Sequence, residues 1–182
     1  FASAEALADA VTTYGDSLPI QLAFTKVIKP APRLSDEYVA AFNDALKARG
    51  VWVAVLGCYI NPVHPDEEKR NEQLSRFEEH LRLAPLLGNP IVGTETGSLM
   101  PDSSYHGETS EPRVLHTFYR SIERLLEAAV KYNSVVGVEA VYRQNTISTI
   151  ERMRALVEHF DTPHLRVIYD PINLVPWTGI QE

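Results

Sequence analysis

Two apolar runs in this sequence end on a carboxylate. VVGVEAVYRQNT carries Glu139 after Val135–Val138, and LRVIYDPINL carries Asp170 after Leu165–Tyr169. Neighbouring parallel strands lie ~4.8 Å apart, so acids at adjacent strand ends can reach one point. Left alone in a low-dielectric mouth they repel, and one tends to protonate. A divalent cation relieves the repulsion, and hard oxygen ligands suit Mg²⁺ or Mn²⁺, with Zn²⁺ and Co²⁺ also compatible. The same pair can instead work as general acid and base. The plainer arrangement has each acid cap the element that follows it or pair with Arg143 or Arg166.

Other strand ends carry further candidates. Glu95, in GTETGS, is a third strand-end acid. It either faces the same mouth or takes a local backbone hydrogen bond. His64, in NPVHPDEE, sits in a proline-bounded loop, where a histidine is a substrate contact, a metal ligand or simply solvated. Asn173, three residues after Asp170, is placed to face the mouth, and Trp177 follows closely enough to line a pocket or to pack. Trp52 reads as packing. Cys58 reads as a small buried apolar residue. The long loop from Thr96 to Ser110, with Tyr105 and His106, reads as solvated by default or as a lid over the mouth.

These positions need elements to hold them. Five β-like runs stand out: Ile20–Phe24, Val51–Leu56, Pro90–Thr94, Val135–Val138 and Leu165–Tyr169. Helical periodicity fills the intervals. Ser3 to Tyr14 reads as a helix stopped by Gly15. Ser35 caps a helix with Val39, Phe42 and Leu46 inward. Asp66, Glu67 and Glu68 suit a helix start, and Leu74, Phe77, Leu81 and Ala84 continue its stripe towards Gly88. Ser110, Glu111 and Pro112 open a further helix with Leu115, Tyr119, Ile122, Leu126 and Ala129 on one face. Thr146 can cap the last, with Ile150, Met153 and Val157.

Strands separated by helices imply right-handed crossovers and a parallel sheet. A doubly wound sheet concentrates its chemistry at one switch point, usually beside a Gly-rich loop, and no G-x-G-x-x-G or G-x-x-x-x-G-K occurs. Here almost every strand ends in polar groups, as expected of a TIM barrel with its site at the C-terminal face. A complete (β/α)₈ barrel takes ~250 residues, and this chain has 182. The expectation is therefore an α/β fold of the (β/α)₈ type, an incomplete barrel of about five parallel strands, with residues 1–182 as a single domain.

Composition excludes several classes. Hydrophobic residues make up 45% and charged ones 23%, an ordinary globular balance. A net charge of −7 without a basic run argues against nucleic acid, and no stretch approaches the ~18 apolar residues of a membrane span. The lone cysteine, Cys58, forms no internal disulfide and suits a reducing, cytoplasmic setting. Phe1 stands where Met is expected, so an N-terminal piece is expected to precede it.

GVEAV and YDPINL, preceded by CYINPVHPD and VGTETGS, resemble the xylose isomerase-like TIM-barrel superfamily over nearly the whole chain. CYINP-HPD and GTETGS are most similar to its sugar phosphate isomerase/epimerase branch. The resemblance implies a metal held at the barrel mouth by Glu, Asp, His and a second Glu on the last four strands. Glu139 matches the first Glu and Asp170 the Asp. The His and second Glu would lie beyond Glu182, and the first strand before Phe1, so the chain resembles strands two to six of eight. Many members carry His three residues after the Asp, where this sequence has Asn173. His64 matches a loop position that faces substrate or metal in some members. The implied chemistry is isomerisation or epimerisation of a sugar or sugar phosphate through an enediolate, with Glu139 as one proton-handling carboxylate. The 182-residue piece alone is expected to be inactive.

Three other classes compete. An endonuclease IV-like barrel needs more histidine ligands and a basic face. A glycoside hydrolase barrel could use Glu139 and Asp170 as acid and nucleophile without metal. A truncated barrel could serve as a non-catalytic binding or assembly module, and its open sheet edges would favour a homo-oligomer.

Overall fold

A computed structural model describes residues 1–175 of the chain. Five parallel strands form one sheet: β1 (Leu18–Leu22), β2 (Val51–Gly57), β3 (Ile91–Glu95), β4 (Val135–Glu139) and β5 (Leu165–Ile168). Helix α1 (Ala4–Thr12) precedes β1, and α2 (Phe24–Val27) and α3 (Asp36–Lys47) follow it. Helices α4 (Glu67–Leu83), α5 (Pro112–Tyr132) and α6 (Ile150–Phe160) complete the crossovers. The strands lie side by side in their sequence order. A doubly wound sheet would reverse its order at a switch point. The arrangement is that of an incomplete TIM barrel, as expected.

Phe24, read as the end of the first strand, instead opens α2. The N-terminal caps of the other five helices follow the sequence with two exceptions. The hydroxyls of Ser3 and Ser35 accept from the Ala6 and Tyr38 amides, and the Asp66 carboxylate accepts from Lys69 N. Helix α5, however, begins at Pro112 with Glu111, not Ser110, in the cap position. Helix α6 is capped by Thr149, not Thr146. The reason is local: both the amide and the hydroxyl of Thr146 donate to the Gly97 carbonyl, so this residue is committed to the β3 loop. The buried stripe of α5 is Val114, Phe118, Ile122, Leu125 and Ala129, and Leu115 and Tyr119 are only half-buried.

The two faces of the sheet differ. Leu22, Leu56, Val92, Val136, Val138 and Leu165 are buried in one cluster with Phe42 and Leu46 of α3, Phe77 and Leu81 of α4, Phe118 and Ile122 of α5, and Leu156 of α6. This is the helix-covered core. The opposite face carries a row of glycines in register, Gly57, Gly93 and Gly137. A Cβ on Gly93 would stand 2.5 Å from Ile168 Cδ1, and one on Gly137 would run into Ile91 Cγ2. Ile91 and Ile168 thus fill the space the glycines leave, forming one side-chain layer of the barrel interior. Trp52 alternates with the buried Val51 and Val53 and is 41% exposed, so it does not pack into the core.

Candidate active site

The layer above the glycine row holds the acids. Glu95 and Glu139 are register partners, each two residues beyond its glycine and therefore on the same face. Asp170 lies two residues beyond Ile168, the β5 partner of Glu139. Three carboxylates from successive strands thus approach one end of the sheet, the C-terminal end where barrel enzymes place their sites.

Glu139 is the most constrained of them. It is 8% exposed, and its Oε1 accepts a 2.7 Å hydrogen bond from Asn173 Nδ2. Burial pushes its carboxyl above the usual range, the Asn173 hydrogen bond pulls it back, and the charges of Glu95 and Asp170 push it up again. Among the described residues no Lys, Arg or His forms an ion pair with it. Arg143 instead approaches the Tyr105 ring, and Arg166 donates to the carbonyls of Thr162 and Leu165.

Glu95 accepts from Asn145 Nδ2 at 3.2 Å rather than from backbone. Asn145 is buried, and its Oδ1 has no partner among the described residues. Glu95 and Asn173 both line a cleft of about 310 Å³, together with Tyr142 and Gln144. Asp170 makes the plainer contact that its position allows. Its carboxylate caps a short 3₁₀ turn, Pro171–Leu174, by accepting from Ile172 N at 3.0 Å. That turn carries Asn173 onto Glu139.

The remaining candidates sit apart from this cluster. His64 is 4% exposed, its Nδ1 accepts from Asp66 N, and its carbonyl accepts from Arg70. It fastens the loop that starts α4. Burial pushes the Cys58 thiol up to about 11, which leaves it inert. Trp177 lies outside the described residues. The Thr96–Ser110 loop is tied down: Asn61 Nδ2 donates to the Ser98 and Met100 carbonyls, and Gln144 Nε2 to Ser103 O.

Two mouth residues escaped the sequence reading as candidates. Tyr59 lies two positions beyond Gly57, on the acid-bearing face, and Gln21 Nε2 donates to its hydroxyl at 2.6 Å. Position relative to the strand-end glycine is the signal that could have found Tyr59. Gln21, a polar residue inside the apolar IQLAF run, carries a weaker one. Nothing in the sequence marks Asn145.

A buried carboxylate with two acids nearby and no cationic partner suits a divalent cation. Glu139 and Asp170 fit as two oxygen ligands of such a site. Among the described residues no group of three or more His, Cys, Asp or Glu stands ready to hold a metal. Glu139 and Asp170 alone do not make a complete metal site.

The solved structures share this fold. A xylose isomerase-like TIM barrel protein from Mycobacterium smegmatis in complex with magnesium superposes with a TM-score of 0.68 at 20% identity, covering 94% of this chain and 57% of that one. D-psicose 3-epimerase from Clostridium cellulolyticum H10, with D-tagatose, gives 0.70 at 15% identity over 92% and 57%. The IOLI protein with a bound zinc atom gives 0.69 at 15% identity over 93% and 58%. The chain therefore spans less than two thirds of the length of these structures. No curated protein sequence matches. The xylose isomerase-like TIM barrel family model matches residues 16–181, most of the sequence, and the chain belongs to that family.

Proposed function

We propose that this chain supplies part of the active site of a metal-dependent sugar or sugar-phosphate isomerase or epimerase that works through an enediolate. One observation carries the reading: Glu139, buried at the end of β4, has two further carboxylates near it and no cationic partner among the described residues. Structural neighbours that include a D-psicose 3-epimerase and a 3-keto-D-glucoside 4-epimerase support the substrate class.

Glu139 and Asp170 would hold the metal, which when bound polarises a substrate carbonyl and its neighbouring hydroxyl. The protein's own groups do the rest. A strand-end carboxylate beside the polarised carbonyl is suited to take a proton from carbon and return it, and Glu139 is that group. Glu95 and Asn173 face the cleft and hydrogen-bond sugar hydroxyls there. Asn145 holds Glu95 in place. His64 supports the loop behind them.

The test is metal loading of the full-length protein. Wild type is expected to bind Mn²⁺ stoichiometrically and to interconvert ketoses or aldoses. Glu139→Gln should lose turnover, and Asp170→Asn should lose metal. Turnover undiminished by a strong chelator would overturn the reading.

A second reading, a binding or assembly module, has its own observation. An apolar groove of about 470 Å³ between α6 and β5, lined by Ile150, Val157, Val167 and Tyr169, lies open beside the edge strand. Sedimentation of the 182-residue chain as a concentration-dependent oligomer would favour it.

A further inference from the structure

We propose that Tyr59 is a substrate-contacting residue whose hydroxyl donates a hydrogen bond to an oxygen of the sugar held in the mouth. The inference rests on the isomerase or epimerase reading and adds a residue after β2, on the same face of the sheet as the acids.

Three side-chain relationships fix this phenol. Gln21 Nε2 donates to its oxygen at 2.6 Å. Lys26 Nζ lies 4.0 Å from its ring centroid, a cation–π contact that holds the ring plane. Gly57 leaves the ring its room, since a Cβ there would stand 3.1 Å from Tyr59 Cε2. The backbone is anchored as well, because Arg76 donates to the Tyr59 carbonyl at 3.0 Å.

A tyrosine hydroxyl carries one donor and two acceptor sites. Gln21 occupies an acceptor site. Among the described residues the donor has no acceptor. Burial raises the phenol's pKa, as do the nearby charges of Glu139 and Glu95, so the proton stays on. A tyrosine that only fills space needs neither a dedicated amide nor a cation on its ring. A fixed, protonated O–H close to two carboxylates is a preorganised donor for an oxygen-rich ligand.

The experiment is calorimetric titration of the full-length protein, loaded with Mn²⁺, using D-fructose and D-tagatose as probes. Tyr59→Phe, which removes one oxygen, is expected to weaken binding of at least one sugar about tenfold, with an unchanged melting temperature. Gln21→Leu is expected to weaken the same sugar by less, and it serves as the test if Tyr59→Phe folds poorly. A set of monodeoxy ketoses separates contact from structure. The analogue lacking the contacted oxygen should bind wild type and Tyr59→Phe equally. Equal affinity of wild type and both variants for both sugars overturns the inference and leaves the proposed function standing. Failure of wild type to bind either sugar overturns the inference, and the proposed function is then decided by its own chelator test.

Discussion

Asn173 Nδ2 donates to Glu139 Oε1 at 2.7 Å, joining the turn after β5 to the end of β4. The same residue's carbonyl accepts from Tyr142 N at 2.7 Å, so Asn173 fastens both the acid and the loop beyond it. Asn173→Ala removes a donor from a buried carboxylate. It should destabilise the full-length protein by about 1–3 kcal/mol, the usual cost of leaving a buried polar group unsatisfied. Asn173→Asp should cost more, because it adds a charge to three acids already in place. Urea unfolding of the two variants checks this, and an unchanged midpoint for both would contradict it.

The raised proton affinity of Glu139 has a thermodynamic sign. Its carboxyl pKa lies above the ordinary 4.5 in the folded state, chiefly through burial. Between the unfolded and folded values the native protein binds more protons than the unfolded chain. Stability therefore falls as pH rises through that window, and the penalty persists above it. Glu139→Gln keeps an oxygen for Asn173 but removes the charge. In the presence of a chelator it should melt about 2–4 °C higher than wild type at neutral pH, and the difference should vanish below the ordinary carboxylate range. Mn²⁺ should then raise the wild type and leave the variant unmoved. A variant that melts lower than wild type at neutral pH would show that the charge is already compensated.

Much of this site was legible because strand ends write themselves into the sequence. Glu139 interrupts an apolar run whose length matches a strand, and Asp170 follows β5 in the same way. Glu95 was visible as a third strand-end acid, but its register with Glu139 and its Asn145 partner were not. Register depends on which strands become neighbours, and local periodicity carries no record of that. Thr146 shows the converse failure. It satisfies the local rule for a helix cap, yet its hydroxyl and amide both serve the Gly97 carbonyl, forty-nine residues away. Tertiary demand outweighed local preference there. Tyr59 was passed over because a tyrosine after a strand is ordinary until the glycine row assigns it a face.

The glycine row makes a graded prediction. Gly137→Ala would drive a methyl into Ile91 Cγ2, and a β-branched side chain has few rotamers to escape into. Gly93→Ala would meet Ile168 Cδ1, the far end of a side chain that can swing. Gly137→Ala should therefore cost about 1–3 kcal/mol, within the range for overpacking, and Gly93→Ala clearly less. Ile168→Val, which deletes Cδ1, should recover most of the Gly93→Ala loss, leaving only the 3.0 Å approach to Val55 Cγ1. Equal costs for the two alanines, measured by chemical denaturation, would mean that the inner layer is looser than these contacts require.

Asn61 and Gly97 form the joint behind the mouth. Gly97 adopts φ +68°, and a Cβ on it would collide with Asn61 Oδ1. Asn61 uses that oxygen to accept from Val63 N, and its amide to bind the Ser98 and Met100 carbonyls. Both the backbone conformation and the contact demand glycine. Gly97→Ala should cost about 1–3 kcal/mol through strain and displacement combined. Its effect should also reach the site. The Gly97 carbonyl holds Thr146, and Thr146 adjoins Asn145, which holds Glu95. Sugar affinity of the full-length protein should therefore fall in Gly97→Ala. It should fall less in Asn133→Ala, which strains a left-handed residue at the end of α5, φ 51°, with no contact to this network. If the two variants lose affinity in proportion to stability alone, the loops after β3 and β4 do not position the carboxylates.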